Sequence, residues 1–275
     1  MTAPWRAIRV ERCADREAVM AALFEAGSQG IHEDGDALET HFPTDTNADE
    51  VVSAVRVADP SAVVSIADAP VVDWSEWRAS VSAHHVGRLV VSPPWLAHDF
   101  EPETTIVIDP AMAFGTGEHA TTRGMLRLMQ YAIRTGDSVA DLGAGSAVLS
   151  IAAAKLGATR IAAIEIDDGA ESSAAANIRA NGVERCIRYL VGDAVVLLAL
   201  VAPVRVVLAN IVSSVLIELL PEIAAALMDD GVALLSGILV EEREIMSGAL
   251  AQHGMRIERE DVEGDWLSAL AVRGE

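Results

Sequence analysis

Hydrophobic and polar positions follow one pattern over roughly the first quarter of the chain. Residues 5–10 alternate as a half-buried β-strand does, and residues 16–26 are rich in strong helix formers such as alanine. Gly27 and Gly30 end that helix. The same order then continues with a strand at 37–42, a helix at 50–57 and a strand at 62–67. Two alternations of strand and helix predict a small α+β domain of the ferredoxin-like type over residues 1–68.

From residue 105 the pattern changes to short apolar strands that alternate with helices. The predicted strands are residues 139–141, 160–165, 187–191, 204–209 and 232–236. The predicted helices are residues 123–131, 146–156, 169–181, 215–228 and 241–253. Strands 256–262 and 267–272 have no helix between them, which predicts an antiparallel hairpin. Because apolar strands of this kind are buried on both faces, residues 105–275 predict an α/β, Rossmann-like domain with a mainly parallel seven-stranded sheet.

Residues 69–104 separate these two regions and follow neither pattern. They contain Trp74, Trp77 and Trp95 together with several prolines. Irregular segments that pack between domains have this composition. We therefore predict a linker over residues 69–104.

The composition bounds the class of protein. The chain has 275 residues, of which 51% are apolar, so it can bury the cores of one catalytic domain and one small domain. No apolar run is long enough to span a bilayer, and no secretory signal is visible at the start. We expect a monomeric, cytoplasmic protein without a membrane segment. Cys13 and Cys186 lie far apart and form no CxxC pair, so we predict neither a disulfide framework nor a metal site.

The charge of the chain points to one kind of partner. With 41 acidic and 20 basic residues, the formal net charge is -21. Such a surface repels phosphate backbones, which argues against tight binding to nucleic acid, and it attracts a basic partner. The same charge is equally consistent with a role in solubility alone.

A glycine loop follows the first strand of the predicted Rossmann-like sheet. The strand ends at Asp141, and Gly143 and Gly145 then lead into a helix. Glycines let the backbone approach a ligand closely, and the N-terminus of a helix is electropositive. Dinucleotide-binding dehydrogenases have a similar loop, but there a third glycine falls where this chain has Val148. The carboxyl group of Asp141 also favours a ligand with an ammonium group over a pyrophosphate.

Polar residues follow the next three strands of the same sheet. Glu165 ends the second strand, Asp193 follows the third, and Asn210 follows the apolar strand 204–209. Ligands bind at the carboxyl edge of such sheets, where an acidic residue can accept hydrogen bonds from ribose hydroxyls and another can meet an adenine amino group. These positions predict a nucleoside that carries an amino acid. For Asn210, orientation of an acceptor amine and a helix N-cap are equally good interpretations.

The segment over residues 109–122 has the sequence DPAMAFGTGEHATT. Its two glycines, His119 and two threonines lead into the helix predicted at 123–131. Thr121 or Thr122 can cap that helix, but a cap does not need so many glycines and polar residues. We therefore predict a loop that folds over a bound cofactor.

In these residues the chain resembles the PrmA family, which methylates ribosomal protein L11. The resemblance covers nearly the whole chain and rests on the following stretches: Phe114 to Thr122, Asp73-Trp74-Ser75-Glu76-Trp77, Ala209-Asn210-Ile211, Leu235-Ser236-Gly237-Ile238-Leu239 and Trp266. It implies a class I methyltransferase domain that binds S-adenosyl-L-methionine, preceded by a small domain that recognises the substrate. The cofactor contacts that it implies are Phe114, Thr122, Gly143, Glu165 and Asn210, with His119 nearby. Gly145 and Asp193 complete the predicted cofactor site.

The resemblance also implies methyl transfer to amines of a basic ribosomal protein, either lysine side chains or the N-terminal amine. We expect Asn210 to orient the acceptor amine, with His119 as a second candidate, while water takes the proton. The chain departs from the family at three positions, where Ala120 replaces Pro, Ala147 replaces Gly and Glu165 replaces Asp. Three alternatives stay open: a methyltransferase for another protein or a small amine, a cofactor-binding regulator without turnover, and a dehydrogenase.

Overall fold

The computed structural model describes residues 5–28, 30–35, 37–43, 46–68, 81–110 and 117–274. The chain divides into two compact units, Met1–Ser80 and Val81–Glu275. None of the helices in the described ranges is long and apolar enough to cross a membrane.

In the ranges that the structure describes, the first unit forms a four-stranded antiparallel sheet and two helices. In chain order its elements are β1 (Trp5–Glu11), α1 (Arg16–Glu25), β2 (Ile31–Asp34), β3 (Ala37–Pro43), α2 (Ala48–Ala58) and β4 (Val63–Asp68). The strand order is β2-β3-β1-β4, and the element order is that of the ferredoxin-like module. Apolar side chains of β1 and β3 pack against those of both helices: Ile8, Val10, Leu38, Phe42, Val19, Leu23, Val51 and Val55.

Strand β2 is absent from the pattern that predicted this unit. Among the described strands it lies at the edge of the sheet, where it pairs with β3. Its sequence, Ile31-His32-Glu33-Asp34, contains one apolar residue. An edge strand this short and polar gives no alternation for a sequence pattern to detect.

The second unit is built on a seven-stranded sheet. Its elements up to the centre of the sheet are β5 (His84–Val86), β6 (Leu89–Ser92), β7 (Thr105–Val107), α3 (Ala120–Ala132), β8 (Ser138–Leu142), α4 (Val148–Lys155), β9 (Arg160–Glu165), α5 (Glu171–Ala180), β10 (Ile187–Val191) and α6 (Ala194–Val201). The remaining elements are β11 (Val204–Asn210), α7 (Ser213–Ala226), β12 (Leu227–Leu239), α8 (Arg243–Gln252), β13 (Met255–Glu263) and β14 (Trp266–Arg273).

The order of the large sheet is β10-β9-β8-β11-β12-β14-β13. Strands β8 to β12 are parallel to one another, and β14 runs antiparallel to both of its neighbours. The prediction of a mainly parallel seven-stranded sheet with a C-terminal hairpin is therefore confirmed. Helix α6 was not predicted, because its sequence is apolar throughout and carries no helical alternation of polar residues.

The predicted linker needs a correction. Residues 84–92 form β5 and β6, which join β7 in a three-stranded sheet that belongs to the second unit. Val86, Leu89 and Val91 are buried in the same core as α3. The apolar run at β6 is therefore a core strand that the nearby prolines and tryptophans obscured. Residues 69–80, with Trp74 and Trp77, lie outside the described ranges.

Each face of the large sheet packs against its own set of helices. Along β11, Val206 and Leu208 enter the core on one face, while Val207 and Ala209 enter the core on the other. The first core includes side chains of α3, α4 and α5, and the second includes side chains of α6, α7 and α8. Because apolar side chains occupy both faces of the sheet, the polar groups of these strands come together where the parallel strands end.

The turn after β11 is held against β12 at a glycine. Ile211 donates its backbone N–H to the carbonyl of Ser236 at 3.1 Å. Gly237 follows with φ +86°, at an irregularity in the pairing of β12 with β14. A Cβ atom on Gly237 would lie 2.2 Å from the carbonyl oxygen of Ile211. Both the backbone conformation and the available space therefore require glycine here.

We predict that Gly237→Ala lowers the free energy of unfolding by at least about 2 kcal/mol, since it adds a left-handed alanine and a clash with backbone. Gly248→Ala is the control, because Gly248 lies inside α8 and a Cβ atom there would have no neighbour within 4 Å. That substitution should raise stability by roughly 0.5–1 kcal/mol. Chemical denaturation of both variants provides the comparison, and a Gly237→Ala protein as stable as the parent would contradict the packing described.

Candidate active site

A cavity of about 1250 Å³ lies at the carboxyl ends of the parallel strands. It is lined by six of the residues that were predicted to form the site: His119, Gly143, Gly145, Glu165, Asp193 and Asn210. Thr122 is buried and lies 3.4 Å from Asn210, measured between Oγ1 and Nδ2. Phe114 lies outside the described residues. The described part of the predicted site therefore comes together in one place.

The glycine loop crosses from β8 to α4 beside β9. The backbone N–H groups of Gly143 and Ala144 both donate to the carbonyl of Ile164, at 2.9 and 3.1 Å. Gly143 has φ +69°, and a Cβ atom there would lie 2.6 Å from Cγ2 of Ile211. The loop therefore needs a glycine at 143 to pack against the chain that leaves β11.

Asp141 holds the loop from inside the protein. Its side chain is 1% exposed, and Ser150 of α4 donates a hydrogen bond to its Oδ2 at 2.7 Å. Burial raises the pKa of Asp141 to about 7, the nearby charge of Glu165 adds to the rise, and the bonds from Ser150 oppose it. Asp141 therefore fastens α4 to the end of β8 and does not line the cavity.

Glu165 braces the loop from the next strand. Its Oε2 accepts a hydrogen bond from the N–H of Gly145 at 2.9 Å. Its Oε1 accepts from the N–H groups of Ile166 and Asp167, at 2.8 and 3.1 Å. Tyr189 of β10 donates its hydroxyl to the carbonyl of Gly145 at 3.1 Å. One carboxylate thus orders two loops, and an oxygen can accept more than one hydrogen bond, which leaves capacity for a ligand hydroxyl.

Asp193 lies at the start of α6, where its Oδ1 accepts a hydrogen bond from the N–H of Val195 at 2.8 Å. It is the N-cap of that helix and also lines the cavity. The cap fixes the position of a carboxylate in a wall that also contains the apolar residues Ile166 and Val195. A planar aromatic base with an amino group fits such a surface.

Asn210 lies at the end of β11 and is not a helix cap. The N-cap of α7 is Val212, which has no side-chain cap bond, so the capping interpretation of Asn210 is wrong. The alternative interpretation in which a threonine caps α3 is wrong as well. Helix α3 begins at Ala120, and its N-cap is His119, whose Nδ1 accepts the N–H of Thr121 and lies 2.8 Å from the hydroxyl of Thr121.

Two further parts of the cavity wall were not predicted as site residues. Trp266, at the start of β14, packs edge-on against His119 with 5.1 Å between ring centroids. Glu242 accepts hydrogen bonds from the hydroxyl of Ser213 at 2.7 Å and from the N–H of Leu239 at 2.9 Å. These bonds lower the pKa of its carboxyl group. The placement of both residues depends on helix and hairpin packing, for which the sequence has no local signal.

The cavity fits the cofactor that was predicted. A close-packed glycine loop, a carboxylate at the end of β9 and a carboxylate at the start of α6 suit the methionine, ribose and adenine parts of S-adenosylmethionine. The described residues that line the cavity include no lysine or arginine, so none of them repels a positively charged sulfonium. The residues that can hold it are Gly143, Gly145, Glu165, Asp193 and Asn210, with Thr122 behind Asn210.

Comparisons with known proteins show the family to which the chain is related. A family model described as "Ribosomal protein L11 methyltransferase (PrmA)" matches residues 6–274. A ribosomal protein L11 methyltransferase from Pelotomaculum thermopropionicum is 39% identical over 225 residues, which is 81% of this chain and 72% of that protein. One from Thermus thermophilus is 34% identical over 251 residues, which is 90% of this chain and 92% of that protein.

Among solved structures, the ribosomal protein L11 methylase from Lactobacillus delbrueckii subsp. bulgaricus superposes with a TM-score of 0.64 at 28% identity. The match covers 71% of this chain and all of that chain. A tRNA methyltransferase from M. jannaschii superposes over 98% of this chain with a TM-score of 0.52 at 14% identity, which shows a shared fold.

Ala147 occupies a left-handed position in the glycine loop, with φ +66°. We predict that Ala147→Gly changes the free energy of unfolding by less than about 1 kcal/mol. Relief of about 1–2 kcal/mol of backbone strain is offset by loss of a buried methyl group, about 0.8 kcal/mol, and by chain entropy. Ala153→Gly is the matched control, because Ala153 is also fully buried but lies in the right-handed α4. It should lose about 1.5 kcal/mol or more, since it gains nothing in return. Equal losses in denaturant titrations would show that Ala147 is not strained.

Proposed function

Because the chain belongs to the PrmA family of ribosomal protein L11 methyltransferases, we propose that it transfers methyl groups from S-adenosylmethionine to amines of L11. The acceptors are lysine side chains, the N-terminal amine, or both. The observation that carries this function is the convergence of Gly143, Glu165, Asp193 and Asn210 on one cavity at the carboxyl edge of the sheet. Family membership removes the dehydrogenase alternative.

S-adenosylmethionine supplies a methyl group that its positive sulfur already activates. The protein must therefore position an amine in line with the methyl group and present it without its proton. We assign the positioning of the amine to Asn210. Its amide nitrogen faces the hydroxyl of Thr122 at 3.4 Å, which leaves the amide oxygen to accept a hydrogen bond from the amine. His119 has a supporting role as part of the wall, since its ring packs on Trp266 and its Nδ1 caps α3.

The acceptor needs to lose a proton before attack, because a lysine with a pKa near about 10.4 is almost wholly charged at neutral pH. Desolvation in the cavity lowers the pKa of an amine that enters it. We propose that water takes the proton, as in the mechanism expected from the sequence.

We propose that the unit Met1–Ser80 recognises the substrate protein. The described residues that line the cavity all belong to the second unit, which leaves the described part of the first unit available for binding a partner. The first 80 residues contain 15 acidic and 6 basic residues, a net charge of -9. That surface suits a basic ribosomal protein. Because the proposed substrate is a ribosomal protein, we place the enzyme in the cytoplasm. That the protein is a monomer and that it does not bind nucleic acid tightly stay predictions from the sequence.

Incubation of purified L11 with the protein and isotopically labelled S-adenosylmethionine, followed by mass spectrometry, tests the function. We expect labelled methyl groups on L11, and a kcat that falls by about 10- to 100-fold in Asn210→Ala, because the acceptor is no longer held in line. Titration calorimetry with the cofactor separates this effect from loss of binding. Cofactor binding without transfer to L11 or to any other ribosomal protein would instead support a regulator. Transfer only to another protein or to small amines would support the remaining alternative.

The charge complementarity makes a separate prediction. The rate at which L11 associates should fall by roughly tenfold or more between about 50 mM and 500 mM salt, because the added ions screen long-range attraction. Stopped-flow or surface-plasmon measurements at several salt concentrations give this rate. An association rate that does not change with salt would mean that the net charge of -21 serves solubility only.

A further inference from the structure

The wall of the cavity carries charge of one sign. Five carboxylates line it, Glu165, Asp167, Asp193, Glu218 and Glu242, whereas the described lining includes neither lysine nor arginine. A cavity that accepts a sulfonium and an ammonium group needs such a charge. The five side chains nevertheless differ in what they already bind.

Four of the five carboxylates are held by the protein itself. Glu165 accepts from three backbone N–H groups, and Glu242 accepts from Ser213 and Leu239. Asp167 accepts from the N–H of Gly169 at 2.9 Å, and Asp193 accepts from the N–H of Val195. These bonds fix loops and helix starts, so their loss would alter the shape of the cavity.

Glu218 differs from the other four. It lies on α7, and the described residues give it neither a hydrogen-bond partner nor an ion-pair partner. It lies on the same side of the helix as Val215, which also lines the cavity, because residues three positions apart are neighbours on the surface of an α-helix. Its carboxylate is therefore a charge in the cavity wall that the fold does not use.

Glu218 lies on the helix that follows Asn210, the residue proposed to position the acceptor amine. Helix α7 begins three residues after Asn210, and the segment between them contributes Ile211 and Val212 to the wall. Val212 is 62% exposed and Val215 is 40% exposed, so apolar surface lies open between Asn210 and Glu218. A lysine side chain has the matching form, since its apolar stem packs on such surface while its charged end requires a partner.

We propose that Glu218 is a specificity-determining residue that binds the ammonium group of the acceptor amine as it enters the cavity, before the amine is deprotonated beside Asn210. This assignment rests on the proposed function and adds to it the residue that selects a cationic acceptor. Glu218 makes its contact with the charged substrate, so it contributes to capture more than to the methyl-transfer step.

The test is a comparison of Glu218→Gln with the wild-type protein, using L11 as substrate at saturating S-adenosylmethionine. We expect KM for L11 to rise by about tenfold, with kcat within about threefold of the wild-type value, because a charge-assisted contact is lost in binding. Glu218→Asp keeps the charge and should recover most of the loss. The dissociation constant of the cofactor, measured by titration, should stay the same and shows that the variant is folded.

Glu241→Gln is the matched control, since Glu241 is exposed, carries the same charge and lies outside the cavity wall. It should leave KM unchanged if Glu218 acts locally and not through the net charge. A second measurement needs no turnover: with S-adenosylhomocysteine bound, L11 should bind Glu218→Gln more weakly than wild type, and chemically acetylated L11 should bind both equally.

An unchanged KM in Glu218→Gln, or an equal rise of KM in Glu241→Gln, would overturn the role assigned to Glu218. The proposed function would still stand in either case, provided that the wild-type protein methylates L11. A wild-type protein that transfers no methyl group to L11 would overturn the proposed function, and the assignment with it.

Discussion

Ile211 lies at the point on which the arrangement of the site depends. It follows Asn210 directly, where β11 leaves the centre of the sheet. Its Cγ2 fills the space that a side chain at Gly143 would need, and its carbonyl oxygen fills the space that a side chain at Gly237 would need. Gly143, which follows β8, and Gly237, which lies in β12, are thus on either side of β11 and leave the space that Ile211 occupies. Because Ile211 directly follows Asn210, this packing couples the position of Asn210, the residue proposed to position the amine, to the geometry of the glycine loop.

The polar residues of the site are also constrained by the close packing of the sheet. Because β8, β9 and β11 are buried on both faces, their polar residues are restricted to the strand ends, where backbone N–H groups without strand partners also collect. Glu165, Asp167, Asp193 and Glu242 satisfy those donors. The carboxylates that are suited to a cationic cofactor are therefore also the groups that keep the loops ordered, which prepares the site before any ligand binds.

Much of the catalytic fold could be predicted from the sequence, because burial on two faces leaves an apolar run bounded by turns. Strand β11 alternates between two cores, and both faces require apolar residues, so its pattern is unmistakable. Strand β2 and helix α6 were missed for opposite reasons. The first has almost no apolar residue, while the second has almost no polar one, with Val196 and Leu200 exposed at 59% and 74%. Periodicity fails at both extremes.

Some residues of the site could be predicted from the local sequence, whereas the positions of others depend on tertiary packing. Gly143, Glu165, Asp193 and Asn210 lie at the carboxyl ends of strands or within two residues of them, so the order of the strands places them at one edge. Glu218 and Glu242 come from a helix face and from a turn before another helix, and which way these point depends on how the helices pack. The true cap of α3 was missed for a related reason, since a histidine in the N-cap position is less common than the threonines that follow it.

Glycine is favoured at 143 and at 147 for different physical reasons, and this difference explains why Ala147 can replace the glycine of the family pattern. At Gly143 the space itself is filled by a methyl group of Ile211, so a side chain there would have to displace the side chain of the residue that follows Asn210. At Ala147 the backbone is left-handed, yet the methyl group is fully buried within the core that includes α4. Strain of about 1–2 kcal/mol is then opposed by burial of about 0.8 kcal/mol and by the lower chain entropy of alanine in the unfolded state. Because these contributions nearly cancel, alanine can replace glycine at 147 without loss of the loop, whereas Gly143 has no such compensation.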